Sequence, residues 1–235
     1  MKQPLLVSIC VLMYNEEESV ALIYQEMTQA LADFPHAYEL LYVDNGSSDN
    51  SAKEVEKLMA GDARVRLFTI ARNQGYGHGV IQGLQAAKGD VIGYMWGDYQ
   101  IKAKDIVKVF RLAAREPRSL VKIRRVHRHD GWLRVFGSKV YNRLFGLLFK
   151  VNSRDANGCP KASTRENFLR MGLRCQDWLI DPEIMVKATR MGLDVKELDV
   201  VFFRREKGCS SVTLFTFASF LVKLLYACLF GRFDR

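Results

Sequence analysis

The chain has 235 residues, 49% of them hydrophobic and 26% charged, with a formal net charge of +9. That length suits one α/β domain with a full core, and the composition excludes a disordered chain. Cys10, Cys159, Cys175, Cys209 and Cys228 form no C-x-x-C pair, which argues against a zinc knuckle or disulfide framework and fits a reducing compartment; no secretory signal is expected at the start.

The first half alternates strand and helix patterns. Residues 5–13 form a nearly all-apolar run, the mark of a buried strand. Asn15 is placed to cap the helix that follows. Glu16, Glu17 and Glu18 fall in its first turn, and Val20, Ile23, Met27 and Leu31 recur at helical spacing. A second strand is expected over 38–43, and the turn Asn45-Gly46-Ser47 leads to a helix capped by Ser48 or Asp49. Strands follow over 65–70 and 91–95, with a helix over 77–87 between them. This spacing predicts right-handed βαβ units and a Rossmann-like, mainly parallel sheet flanked by helices.

In such a sheet, ligands bind beyond the carboxyl ends of the strands. Tyr14-Asn15-Glu16, Asp44-Asn45, Arg72-Asn73 and Trp96-Gly97-Asp98-Tyr99-Gln100 stand there. Carboxylates gathered at one crevice suit a metal ion or the polar edges of a nucleotide. Asp49 alone reads as a helix cap; Asp44 and Asp98 together read as a site. Gly75-Tyr76-Gly77-His78-Gly79 lacks the Lys-Ser/Thr of a P-loop and the spacing of a dinucleotide fingerprint, and reads as close backbone approach to a nucleotide.

Charge is concentrated between residues 118 and 150, where nine Lys or Arg accompany a single acid, Asp130. Such a segment is expected to face an anion: nucleic acid, phospholipid headgroups or a phosphorylated substrate. Residues 212–230 hold 15 apolar residues out of 19 and one charge, Lys223, which shares a narrow helical stripe with Thr216 and Ser219. A helix of this kind packs on its own domain, lies in a membrane interface or spans a bilayer; the interface is the favoured reading. The chain therefore divides into an α/β domain, 1–211, and an amphipathic membrane-proximal helix, 212–235.

Several motifs recur in a fixed order. They are Leu12-Met13-Tyr14-Asn15-Glu16-Glu17, Val43-Asp44-Asn45-Gly46-Ser47-Ser48-Asp49, Arg72-Asn73-Gln74-Gly75-Tyr76-Gly77, and Ala87-Lys88-Gly89-Asp90. Arg125, Arg134-Val135-Phe136-Gly137-Ser138, Arg154-Asp155-Ala156-Asn157 and Arg205-Glu206-Lys207-Gly208-Cys209-Ser210 follow. Over roughly residues 5–215 this order resembles family 2 glycosyltransferases of the GT-A fold, and within them the polyprenyl-phosphate or dolichol-phosphate sugar synthases. The resemblance implies transfer of a sugar, with inversion, from a UDP- or GDP-sugar to a polyprenyl phosphate. The enzyme would be cytoplasmic and peripheral on the inner face of a membrane, with no nucleic-acid partner. It implies that Tyr14, Asn15, Glu16, Asp44, Asn45, Arg72, Asn73 and Gly75 bind the nucleotide-sugar. Asp98 and Gln100 would hold Mg²⁺ or Mn²⁺. Arg125, Arg134, Ser138 and Arg205 would hold the acceptor phosphate, with Asp98, Arg125 and Arg205 catalytic. Two positions depart from the family pattern. Leu12 replaces a Pro, and Trp96 replaces the first Asp of the Asp-x-Asp motif, where an indole offers a hard cation no lone pair.

The acceptor side follows from chemistry. A sugar hydroxyl needs a general base, whereas a phosphate monoester, with a second pKa near ~6, is already largely dianionic and needs positioning, for which Arg is suited. Asp155, Asp177 and Asp181 are the candidate bases; Asp181-Pro182-Glu183 also reads as a helix start with Pro in its first position. His127 and His129 lie in the basic segment and are candidates for a phosphate contact. The rival readings are transfer to another saccharide or lipid, a non-catalytic nucleotide-sugar binder motivated by Trp96, a sugar-phosphate nucleotidyltransferase, and a nucleic-acid binder suggested by charge alone.

Overall fold

The structure is a computed structural model; it describes residues 5–126, 132–203 and 214–233, without the side chains of 132–136, 214–219 and 221. The first half runs β1 (Leu6–Met13), α1 (Glu17–Ala30), β2 (Ala37–Asp44), α2 (Ser51–Gly61), β3 (Val65–Thr69), α3 (Tyr76–Ala86) and β4 (Val91–Trp96). The second half runs α4 (Ala103–Arg115), β5 (Ser119–Val126), α5 (Trp132–Phe149), β6 (Lys161–Thr164), α6 (Arg165–Met171), α7 (Ile180–Arg190), β7 (Asp194–Val201) and α8 (Leu214–Leu229). All four strands and the α3 helix expected from the pattern of the first half form within a residue or so of their predicted ends.

The strands make one seven-stranded sheet in the order β3-β2-β1-β4-β6-β5-β7. The four-residue β6 is antiparallel to β4 and β5, and every other pairing is parallel. The carboxyl ends of six strands therefore share one edge, the edge at which open α/β sheets bind ligands. Alternation along the strands sorts side chains to the two faces. Val7, Ile9, Val11 and Met13 of β1 join the core beneath α1, α2 and α4, whereas Cys10 and Leu12 join the core beneath α3 and α7. Because both faces are covered, the strands read as continuous apolar runs.

Close backbone contacts lock the second half onto the first. A Cβ on Gly93 would lie 2.3 Å from the Lys161 carbonyl oxygen of the neighbouring β6, so that strand can pair so tightly only against glycine. Helix α8 buries Leu224 and Ala227 in the core that also holds Tyr141 and Phe145 of α5, and it leaves Val222, Leu225, Tyr226, Leu229 and Phe230 exposed. Its one charged residue turns inward: Lys223 Nζ donates to Asp177 at 3.1 Å. Among its described side chains the helix thus packs one apolar strip on the domain and leaves a second apolar strip exposed. Among the described residues no helix is long and apolar enough to cross a membrane.

Candidate active site

The loops after β1 and β2 are stitched to each other. Asn15 sits at φ 55° and accepts from the Ser48 N–H at 2.8 Å, while its own N–H donates to Ser47 Oγ at 2.9 Å. Asn15 is therefore not the cap of α1. The residue at that position is Glu16, whose side chain makes no capping bond. Asp49 likewise precedes the N-cap position of α2, held by Asn50, and its carboxylate bridges the Ser51 N–H and the Glu17 N–H that opens α1. This cross-bracing fixes Tyr14, half exposed, and Glu16 beside Asp44, which is buried at the end of β2 and accepts the Ser47 N–H at 2.9 Å.

Glycines set the packing of the loops after β2 and β3 by close approach. Gly46, at φ 77°, presses on the Arg72–Asn73 backbone, where a Cβ would lie 2.6 Å from the Asn73 nitrogen. Asn45 then donates to the Gly75 carbonyl at 3.1 Å, and Asn73 Oδ1 accepts the Gly75 N–H at 2.9 Å. Asp44, Asn45, Arg72, Asn73 and Gly75 thus form one cluster, with Arg72 and Asn73 exposed. The glycine-rich turn itself differs from its expected role. Gly75 and Gly77 press on the backbone of residues 175–177, where Cβ atoms would lie 2.5 Å from the Gln176 oxygen and 2.2 Å from the Cys175 oxygen, and the His78 N–H donates to the Gln176 carbonyl. The close approach these glycines provide is to protein backbone.

Beyond β4, the Asp98 carboxylate accepts the Gln100 N–H at 3.3 Å, and Gln100 Nε2 donates to the Phe203 carbonyl at 3.0 Å. Trp96 takes a different role from the acid it replaces: its indole N–H donates to Tyr76 Oη at 2.9 Å, and its ring meets Phe202 edge-on. Among the described residues no three His, Cys, Asp or Glu side chains gather around a point that could hold a metal ion. The protein can offer a cation the Asp98 carboxylate and the Gln100 amide oxygen. That donor set fits an ion such as Mg²⁺, which is often held by one or two protein oxygens with phosphates and water completing the shell.

Arg125 is the penultimate residue of β5, with its guanidinium 5.6 Å from the Trp96 ring centroid and 5.4 Å from that of Phe202. Asp155 accepts from its Nε and Nη2, both at 2.8 Å, and from its backbone N–H. Burial alone would raise the Asp155 pKa; the charges of Arg125 and Lys122 and the Arg125 hydrogen bonds overcome it and hold the carboxyl well below the usual range. Such a carboxylate is a weak base. Ser138 joins the same neighbourhood indirectly, since Asn142 donates to its Oγ and carbonyl and accepts the Ala156 N–H. The Arg134 side chain, Arg205, His127 and His129 lie outside the described residues.

The other candidate bases are also occupied. Asp177 accepts from the Leu179 N–H and from Lys223. Asp181-Pro182-Glu183 lies in the first turn of α7, as expected, but the helix begins at Ile180, so Pro182 is not its first residue. The Asp181 carboxylate is buried against Lys161 Nζ and Tyr94 Oη. Burial, reinforced by the Asp181 charge, pushes the hydroxyls of Tyr94 and Tyr76 well up, so both remain proton donors. The basic segment is partly matched within the protein as well: Lys122 pairs with Glu197, Arg124 with Asp199 and Arg125 with Asp155. Lys122, Lys161 and Glu197 are buried or half-buried partners of the candidate site residues that sequence reading missed. The available signal was a Lys set inside the apolar run Leu120-Val121-Lys122-Ile123.

The family model described as glycosyl transferase family 2 matches residues 8–173, and the chain belongs to that family. Its seven-stranded sheet is the GT-A arrangement. An undecaprenyl-phosphate 4-deoxy-4-formamido-L-arabinose transferase of Proteus mirabilis is 29% identical over 222 residues, 93% of this chain and 66% of that protein. A dodecaprenyl-phosphate galacturonate synthase of Rhizobium johnstonii is 28% identical over 98% of this chain and 69% of its own length. The chain thus spans about two thirds of these curated relatives. Among solved structures, glucosyl-3-phosphoglycerate synthase of Mycobacterium tuberculosis with UDP superposes at a TM-score of 0.71, with 15% identity over 95% of this chain and 80% of that one. A mannosyltransferase of Pyrobaculum calidifontis in complex with GDP-Man and Mn²⁺ gives 0.64, with 19% identity over 88% and 59%.

Proposed function

We propose that the protein transfers a sugar from a nucleotide-sugar to a polyprenyl phosphate at a membrane surface. The observation that carries the acceptor half of this reading is the state of the candidate bases. Asp155, Asp177 and Asp181 are each ion-paired, to Arg125, Lys223 and Lys161. An acceptor that must lose a proton would find each of these three carboxylates already engaged by a cation, whereas a phosphate dianion needs no base. The relatives named for undecaprenyl- and dodecaprenyl-phosphate chemistry support the same acceptor.

In this reading Tyr14, Glu16 and Asp44 receive the base and ribose, with Asn15, Asn45, Arg72, Asn73 and Gly75 shaping the donor cleft. Asp98 and Gln100 would hold a divalent cation, which supplies positive charge to the leaving diphosphate when bound. A lipid phosphate oxygen attacks the anomeric carbon from the face opposite the diphosphate. The new C–O bond forms as the bond to the nucleoside diphosphate breaks, with inversion and without proton transfer. Arg125 orients the attacking phosphate, joined by Arg134, Ser138 and Arg205. Helix α8 and the outer face of α5, with exposed Val140, Leu144 and Leu147 beside Lys139, Arg143 and Lys150, lie on the inner face of a membrane as an apolar surface edged with cations.

The test is transfer of labelled sugar from UDP-, GDP- and dTDP-sugars to a short polyprenyl phosphate, read as label extracted into organic solvent, with Mn²⁺ or with EDTA. Label must appear with at least one donor. Its appearance only on a saccharide acceptor would overturn the reading in favour of a sugar acceptor, and absence with every donor would favour a non-catalytic binder.

A further inference from the structure

Arg125 is held at two levels. Nearest to it, the Asp155 carboxylate grips one edge of the guanidinium and the backbone N–H of the same residue. This fork fixes the plane of the group, which the Trp96 and Phe202 rings also approach, at 5.6 and 5.4 Å to their centroids. Asp155 is 4% exposed, so water does not compete for the contact.

Beneath Asp155 lies a second cation. Lys122, three residues earlier on β5, is fully buried. Its Nζ donates to the Ile123 carbonyl at 2.7 Å, to the carbonyl of Asp155 itself, and to Glu197 Oε1 at 3.2 Å. Glu197, on β7, accepts in turn from Ser153 Oγ at 2.6 Å and from the Arg154 N–H at 3.2 Å. One ammonium thus joins β5, β7 and the loop that carries Asp155. That loop has no room to move toward the sheet: a Cβ on Gly158 would lie 2.1 Å from the Ile123 oxygen and 3.0 Å from Lys122 Nζ. A buried ion network of this completeness costs desolvation without adding much stability, so a role in placing a group is the better account of it. A cation placed before its anion arrives spares the site from reorganising during the reaction.

We propose that Asp155 and Lys122 are positioning residues for the acceptor phosphate: Asp155 sets the guanidinium of Arg125, and Lys122 sets Asp155. The inference rests on the lipid-phosphate reading only for the identity of the anion that Arg125 meets.

Two measurements test it. Arginine side-chain NMR follows the Nε–H of Arg125 without any substrate. It is protected in the wild type, and in D155N and K122M it exchanges at least about tenfold faster. Unchanged protection in K122M overturns the part given to Lys122, and unchanged protection in D155N overturns the whole. Steady-state transfer from the active nucleotide-sugar to farnesyl phosphate then separates positioning from general weakening. D155N raises the acceptor KM about tenfold or more, with UDP affinity within twofold of wild type, and D155E recovers part of the loss. The R125K/D155N double variant is no worse than R125K, because Asp155 acts through Arg125. Additive losses, or equal losses in UDP affinity and acceptor KM, overturn the proposal. A wild type that transfers nothing to any polyprenyl phosphate refutes the functional reading, and the NMR result still decides the positioning.

Discussion

Trp96 shows how one side chain redirects a site. Where an acid would bind a cation, the indole donates to Tyr76 and borders Arg125. On the proposed reading the protein's share of a metal shell is limited to Asp98 and Gln100, so cation dependence should be shallow. Restoring the acid tests this: W96D is expected to bind UDP about tenfold more tightly with Mn²⁺ than with EDTA, by calorimetry, while the wild type shows a smaller ratio. Equal ratios would mean that position 96 does not govern the ion. Gly77 makes the opposite kind of statement, since it serves packing and has no polar group to offer. G77A drives a methyl into the Cys175 carbonyl and should lower stability by about 1–3 kcal/mol in urea unfolding. No change would mean that the 175–177 loop yields without strain.

Among elements, α8 and the residue after it expose several large apolar side chains. Leu229 is 80% exposed, Val222 67% and Phe230 62%, while Lys223 faces Asp177. Large apolar side chains gain about 1.5–3 kcal/mol each when removed from water. Replacing Leu225, Tyr226, Leu229 and Phe230 by Ser should therefore weaken binding to anionic vesicles by at least about two orders of magnitude in a sedimentation assay, with the melting temperature unchanged. A fall in melting temperature with vesicle binding intact would show instead that this face packs on protein. Sequence periodicity located the helix and its polar stripe. It could not say which side faces the domain, because that depends on Asp177, 46 positions away in the chain.

For the molecule as a whole, buried ion pairs shape the pH dependence of stability. Asp155 and Glu197 have folded pKa values below their ordinary ones, burial being outweighed by Arg125 and Lys122 for the first and by Lys122 and Ser153 for the second. Groups of this kind contribute stability that is present above the ordinary carboxylate pKa of about 4 and is lost as pH falls through the folded value. D155N should accordingly flatten the acid arm of a melting-temperature profile below about pH 4. Lys122 acts at the other end. Burial lowers its pKa to about 8, against the pull of Asp155 and Glu197 and with help from Lys161. Between about pH 8 and the ordinary ~10.4, the unfolded chain holds a proton that the folded one has released, so this group makes stability rise with pH across that window. K122M should remove that rise, and a profile identical to wild type would show that Lys122 titrates normally.

The order of apolar runs and turn residues determined the parallel sheet, its carboxyl edge and the acids along it, because strand and helix periodicity and turn chemistry are local properties of the chain. The resemblance carried by Asp44, Asp98 and Arg125 identified the chemistry for the same reason, as short motifs survive in linear order. Only the tertiary structure decided which charges are available for that chemistry. Lys122 and Arg125 are members of a basic segment in sequence, but Glu197 and Asp155 pair with them in the fold, and Asp181, at a helix start as its sequence suggests, is also met there by Lys161 and Tyr94. Burial and pairing bring together residues far apart in sequence, and the balance of desolvation and Coulomb energy that sets a charge's role exists only once they meet.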